Sequence, residues 1–232
     1  MHRSLAILTL LGVALLTRGA WAEDRPPDTM AARVQACAAC HGAEGQGTSS
    51  DYFPRLAGKP AGYLFNQLQA FHEGKRRYPP MNYLLEFQPD SYLRKMAEYY
   101  AAQRPPALPP APPTVSDPVL AQGRVLVTQG DADRGIPACV SCHGRALTGE
   151  EPAIPGLVGL HASYLSAQLG AFRYGTRSSK APDCMQPVAA QLTETDVAAV
   201  ANYLASVPVP ADPSPAPAGG FAMAKLCGAQ QP

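Results

Sequence analysis

The sequence has little charge, few aromatic residues and no apolar run long enough to cross a membrane. Charged residues make up 16% of the 232 positions, aromatic residues 7%, and the formal net charge is +1. So small an excess of positive charge argues against a nucleic-acid-binding protein. The most apolar run, Leu5–Leu16, spans twelve residues, whereas a bilayer-spanning helix needs about 20. Composition therefore excludes several classes of protein without identifying one.

The N-terminus has the pattern of an export signal. His2 and Arg3 precede the apolar run, and Ala20-Trp21-Ala22 follows it with the small-x-small pattern that signal peptidase recognises. We therefore predict a signal peptide over residues 1–22 and a mature protein in the periplasm, an oxidising compartment. The alternative is that this segment is retained as an anchor and holds the protein at the membrane surface.

The rest of the chain contains one pattern twice. Cys37–His41 and Cys139–His143 both read C-x-x-C-H, lie 102 residues apart, and are each followed by glycine. Downstream, Pro54–Arg77 aligns without gaps with Pro155–Ser178, and twelve of the 24 positions are identical. A repeat of this length and regularity indicates that the second half of the chain is a duplicate of the first.

Proline marks the boundaries between the duplicated units. Six prolines lie among the ten residues from Arg104 to Pro113, a composition that favours an extended polyproline II spacer. We predict a first domain over 23–104, a linker over 105–113, a second domain over 114–207 and an extended tail over 208–232.

Both domains are predicted to be helical, which makes the fold class all-α. Val197, Val200, Ala201 and Leu204 form an apolar stripe at helical spacing, and Thr193 is placed to cap that helix. The first domain repeats this stripe, and Met96 on it is predicted to lie in the core. We find no strand-like alternation of useful length.

The C-x-x-C-H pattern is the signature of covalent haem attachment. The two thiols form thioether bonds to the porphyrin, and the adjacent histidine binds the iron. We predict two haem c groups, attached at Cys37 and Cys40 and at Cys139 and Cys142. The proximal iron ligands would be His41 and His143. A zinc site would need four ligands, and a redox-active thiol pair would need a βαβ setting, so we disfavour both.

The second axial ligand of each iron is predicted to be a methionine. Met81 and Met185 stand at matching places in proline-rich segments that we expect to be loops. A thioether favours ferrous iron and closes the coordination sphere, as electron transfer requires. Ligation by His72 and His161 is the alternative. Because these two histidines do not match in the repeat, we interpret them as surface residues.

Further residues are candidates for holding the haem in place. A ligating imidazole usually donates its second N–H to a carbonyl, and Pro54 and Pro155 follow the two histidines at similar spacing. The haem propionates need polar partners, and four residues at matching repeat positions are candidates: Tyr63, Tyr164, Arg76 and Arg177.

In these motifs the chain resembles the dihaem cytochromes of the cytochrome c4 family. The resemblance rests on the two C-x-x-C-H-G motifs, the repeated Tyr-Leu-x-x-Gln-Leu-x-x-Phe strips, and Met81 and Met185. It implies two class I cytochrome c domains in a monomeric electron carrier that is not an enzyme. By the same resemblance, a quinol-oxidising complex or a dehydrogenase would be the electron donor and a terminal oxidase the acceptor.

Two features depart from that family. Cys184 and Cys227 exceed the four cysteines that two haems need, and in an oxidising compartment we predict that they form a disulfide. The alternative is that Cys184 binds the second iron as a thiolate. The protein would then resemble dihaem enzymes that oxidise thiosulfate. A peroxidase is a second enzyme alternative. The proline-rich linker and tail favour a further possibility, a cytochrome subunit of a periplasmic dehydrogenase.

Overall fold

The computed structural model describes residues 27–50, 52–222 and 226–230. The predicted signal peptide, 1–22, lies outside these ranges. Within them the protein is helical, as predicted, apart from one very short hairpin and a 3-10 turn. None of the helices described here combines the length and the apolar character that a bilayer crossing demands.

The described part of the first half, 27–50 and 52–104, contains five helices. They are α1 (Met30–Arg33), α2 (Gln35–His41), α3 (Ala61–His72), α4 (Pro79–Leu85) and α5 (Asp90–Ala102). Helix α3 packs against α5 and α4, because the apolar residues of each helix recur at helical spacing and form one stripe. The core between them consists of buried side chains, among them Leu64, Phe71, Leu93, Met96 and Tyr100. The prediction that Met96 belongs to the core is confirmed.

The second half repeats this arrangement with an added hairpin. Its elements are α6 (Asp117–Thr128), α7 (Val140–His143), β1 (Gly149–Glu150), β2 (Ile154–Pro155), α8 (Ala162–Arg173), α9 (Met185–Ala190) and α10 (Glu194–Ser206). Helices α6 and α10 cross closely because Gly123 lies directly on the backbone of Ala199, where any Cβ would collide. The predicted cap is present, since Thr193 and Asp196 form a reciprocal capping box.

The hairpin of the second half was not predicted from the sequence. Strands β1 and β2 are antiparallel, and Gly149 pairs with Pro155 and Glu150 with Ile154. Two residues per strand are too few to show the alternating pattern by which a strand is predicted. Gly149 has a φ of +91°, a value that favours glycine and turns the chain tightly at this point.

The proline-rich segment between the halves is extended and is held at both ends. Arg55 is buried and donates hydrogen bonds to the carbonyl oxygens of Pro105 at 2.7 Å and Pro106 at 3.0 Å. Further along, the Ala111 N–H donates to the Ala205 carbonyl, 3.2 Å away. These bonds pin one end of the segment to the first half and the other end to α10.

Candidate functional site

The first pair of cysteines lies on α2, which ends at His41. Cys37 and Cys40 are three positions apart and therefore share one face of the helix. Both are free thiols and half-buried, and burial raises the pKa of Cys37. Gly42 ends the helix with a φ of +82°, in the left-handed region that favours glycine. The glycine of the motif therefore ends the helix immediately after the histidine.

His41 is oriented by the carbonyl predicted from the sequence. Its Nδ1 lies 2.9 Å from the Pro54 carbonyl oxygen, so Nδ1 carries the proton and donates. This leaves Nε2 as the nitrogen with a free lone pair. Burial lowers the pKa of His41, which favours the neutral imidazole that a metal requires.

A cavity of about 690 Å³ opens beside this histidine, a volume within the usual range for cofactor sites. Cys37, Cys40, His41 and Met81 all line it, together with mostly apolar side chains. Four residues that the sequence assigned to one site therefore surround one space. Tyr100 also lines this cavity, and its buried hydroxyl has no hydrogen-bond partner among the described residues.

Met81 does not lie in a loop, and that prediction is wrong. It is the third residue of α4, and Met185 is the first residue of α9. The prolines that suggested stiff loops instead start a helix, because proline has a helical φ and the first turn does not need its missing N–H. Placement on a helix gives each methionine a more rigid support than a loop would.

The second attachment motif has the same local geometry as the first. His143 is buried at the end of α7, and its Nδ1 lies 2.8 Å from the Pro155 carbonyl oxygen, again the predicted partner. Burial lowers the pKa of His143 and raises that of Cys139 to about 11. Met185 is half-buried, and its N–H donates to Asp183 Oδ1 at 2.8 Å.

Cys184 and Cys227 form a disulfide. The predicted pairing is therefore confirmed, and it fastens the tail to the residue immediately before Met185. Because its sulfur is bonded to Cys227, Cys184 carries no thiolate to offer to an iron. The thiolate alternative is thus removed in this disulfide-bonded state. Met223 lies outside the described residues.

A cluster of polar side chains joins the two halves at the far end of the cavity. Arg76 donates to Gln67 in its own half, and to Gln168 and Tyr164 across the interface. Arg177 donates to Gln168 in its own half and to Gln67 across the interface. The tyrosines and arginines that the sequence selected as candidate partners of propionates therefore lie together.

The cluster contains two cations but no anion. Among the described residues neither Arg76 nor Arg177 has a carboxylate within 4 Å, although Arg177 is only 6% exposed. Buried charges are normally paired. Both arginines line the cavity, so a bound group with carboxylates would supply the missing charge. Two thiols, an imidazole, a thioether and these cations fit a haem, whose propionates are carboxylates.

The two histidines of the alternative ligand set lie elsewhere. His72 is exposed, and its Nδ1 lies 2.8 Å from the Leu85 carbonyl oxygen. His161 was interpreted as a surface residue, and this is wrong: it is half-buried between the halves, with Nε2 3.0 Å from the Thr48 carbonyl oxygen. Neither side chain is among those that line the cavity described above.

Sequence reasoning missed three residues near the sites. Lys59 lines the cavity and donates to the Gly156 carbonyl in the other half at 2.8 Å, and burial lowers its pKa to about 8. Arg55 holds the linker, and Glu150 is completely buried in the second half. At each of these three positions the other repeat has a different residue: Leu160 for Lys59, Gly156 for Arg55 and Thr48 for Glu150. A charged residue present in only one repeat is the signal that could have identified them.

Comparison with known proteins places these features in a family. The family model for cytochrome c matches residues 31–104 and 121–208. The thiosulfate dehydrogenase electron acceptor of Thiomonas intermedia (strain K12) is 36% identical over 90% of this chain and 93% of its own. Reduced cytochrome c4 from Pseudomonas stutzeri has a similar structure, with a TM-score of 0.66 and 31% identity over 76% of this chain and 96% of its own.

A third relative is a longer protein. The thiosulfate dehydrogenase TsdBA from Marichromatium purpuratum aligns with a TM-score of 0.68 and 36% identity. The alignment covers 75% of this chain but only 36% of that one. The similarity is therefore confined to one part of the longer chain.

Proposed function

This chain belongs to the cytochrome c family as a dihaem protein related to the cytochromes c4, and we propose that it accepts electrons from a periplasmic thiosulfate-oxidising dehydrogenase. It would pass them to a terminal oxidase or another respiratory acceptor. The donor is proposed because a thiosulfate dehydrogenase electron acceptor aligns with this chain over nearly its whole length. The sequence had left open, as an alternative, a cytochrome subunit of a periplasmic dehydrogenase.

One observation carries the proposal: His41 and Met81 line the same cavity as the two attachment thiols. We assign Cys37, Cys40, His41 and Met81 to the first haem, and Cys139, Cys142, His143 and Met185 to the second. A bound haem supplies an iron that gains and loses one electron. With an imidazole and a thioether on that iron, no position is left for a substrate, which favours a carrier over an enzyme.

The protein's own residues would keep each site rigid during electron transfer. The carbonyls of Pro54 and Pro155 hold the protons of the two imidazoles and fix their orientation. Arg76 and Arg177 would donate to the propionates at the interface. Because these groups are held by hydrogen bonds in a buried setting, little would rearrange when an electron arrives, and little rearrangement favours fast transfer.

The experiment uses full-length protein matured with the haem-attachment machinery. We expect two haems per chain, a near-infrared sulfur-to-iron band of two-haem intensity in the oxidised state, and rapid reduction by thiosulfate dehydrogenase only when thiosulfate is present. Reduction at the same slow rate with and without the dehydrogenase would overturn the proposed donor. A band of one-haem intensity would overturn the ligand assignment. N-terminal sequencing of periplasmic material should begin at Glu23.

A second donor remains a candidate on a specific observation. The structural match to a cytochrome c4 covers almost all of that chain, which favours a freely diffusing carrier in the respiratory chain. If a quinol-oxidising complex reduces the protein faster than the dehydrogenase does, this role is the correct one.

A further inference from the structure

The tail that follows α10 crosses the second half and adds to its hairpin. Ala216 forms a parallel bridge with Glu150. Its N–H donates to the Gly149 carbonyl, and its carbonyl accepts from the Glu151 N–H, both at 2.9 Å. The tail therefore binds β1, whose partner strand β2 ends at Pro155, the residue whose carbonyl orients His143.

Glu150 fastens the tail from inside. Its side chain is completely buried, and its two carboxylate oxygens accept one backbone N–H each, from Gly219 at 2.6 Å and from Phe221 at 3.0 Å. The ring of Phe221 lies over Gly144, the glycine that follows His143.

The other end of the tail is fastened beside Met185. Cys227 is bonded to Cys184, and the Gly228 N–H donates to the Pro182 carbonyl at 2.9 Å. Farther on, the Gln230 side chain contacts the hairpin turn: it accepts from the Ala153 N–H and donates to the Glu151 carbonyl. One segment is thus tied to the hairpin on the histidine side and to the start of α9 on the methionine side.

We infer that the tail, of which the structure describes 208–222 and 226–230, is a positioning element that holds His143 and Met185 of the second haem site in register. Among its attachments, Glu150 and the disulfide are the two that involve side chains near the two proposed ligands. The inference rests on the ligand assignment of the proposed function. The first half ends in the linker instead, and Thr48 occupies the repeat position of Glu150, so the described part of the first half has no counterpart of this carboxylate.

The test compares the two haems within one molecule. The variants are Glu150→Gln and the double variant Cys184→Ser/Cys227→Ser, which leaves no lone thiol near the iron. Asp212→Asn is the control within the tail, because Asp212 is exposed and its side chain accepts only from the Ser214 N–H in the described contacts. The measurements are the near-infrared sulfur-to-iron band during alkaline titration and the potential of each haem.

For both tail variants we expect the second haem to lose its methionine at a lower pH than in the unaltered protein. We also expect its one-electron equilibrium to change about tenfold, which is about 60 mV. The first haem and Asp212→Asn should match the unaltered protein. Equal change at both haems, or change at neither, would overturn the positioning role.

A parallel variant separates this inference from its premise. Met185→Ala should remove half of the band and thereby assign that half to the second haem. If it does so while the tail variants leave both haems unchanged, only the role of the tail is overturned. If Met185→Ala retains the whole band, the ligand assignment and the inference are both overturned.

Discussion

Arg76 and Arg177 come from opposite halves of the chain and donate to the same two acceptors. Arg76 lies 3.0 Å from Gln67 Oε1 and 2.8 Å from Gln168 Oε1, and Arg177 lies 2.7 Å from each. The two arginines occupy matching positions, 101 residues apart. Two positive charges therefore lie close together on the same two acceptors. Because like charges repel, this arrangement favours the binding of an anionic group nearby.

Replacing one of these arginines should lower the haem potentials. Arg177→Gln removes a buried positive charge, and the ferric state, which carries the extra positive charge, becomes relatively more stable. We expect at least one haem to shift down by about 60 mV, equivalent to a tenfold change for one electron, in a potentiometric titration. Arg173→Gln, at the last residue of α8, is the control, since Arg173 contacts only Tyr174 and Glu194 in the described bonds. Unchanged potentials of both haems in Arg177→Gln would contradict the assignment of this arginine as a partner of the haem propionates.

Two methionines of the first half should respond differently to the same substitution. Met81→Ala removes the proposed ligand, so half of the near-infrared band should disappear and the first haem should change potential. Met96 is buried in the core at 5% exposure, and Met96→Ala should cost about 2–5 kcal/mol of unfolding free energy with both haems still ligated. Loss of the band in Met96→Ala, with retention in Met81→Ala, would reverse the assignment.

Asp196 should make the second half sensitive to acid. Burial raises the pKa of Asp196, but hydrogen bonds from Arg134 and Thr193 outweigh it and lower this pKa to about 2. The stabilisation is therefore present above the unfolded value near 4 and is lost as the pH falls towards 2. Asp196→Asn should cost about 1–3 kcal/mol at pH 7 and progressively less below pH 4, measured by urea unfolding.

The control for that experiment is Asp131→Asn. Asp131 binds the same arginine, but its side chain is 32% exposed, so the loss of stability should be clearly smaller than for Asp196→Asn. If both variants lost the same unfolding free energy at pH 7, the burial of Asp196 would not strengthen its bond to the arginine.

Lys59 should also make stability rise with pH, but in an alkaline range and because its charged form destabilises the folded protein. Burial lowers its pKa to about 8, against 10.5 in the unfolded chain. Between these values the unfolded state binds the additional proton, so stability rises with pH. The free energy of unfolding of Lys59→Met, relative to that of the unaltered protein, should therefore be highest below pH 8. This difference in unfolding free energy should shrink towards pH 10.5. Urea unfolding across this range, with the exposed Lys95→Met as reference, would reveal the trend; a constant difference would contradict it.

Much of the site could be predicted because its determinants are local. The attachment motif brings two thiols and a histidine together within five residues, and the duplication repeats each position. The Pro54 and Pro155 carbonyls and the Thr193 cap were also predicted correctly, since each involves a short span of chain. The methionine segments were mistaken for loops because proline was treated as a helix breaker where it begins a helix.

What the sequence determined by itself is the chemistry: each half of the chain contains two thiols, an imidazole and a thioether in the same order. The tertiary structure decided how the two halves meet and how the tail is held. Lys59 reaches Gly156, and Glu150 holds Gly219 and Phe221, across 69 to 97 residues of chain. These contacts join positions that the repeat does not share. No local pattern encodes them, because they arise only when distant segments pack together.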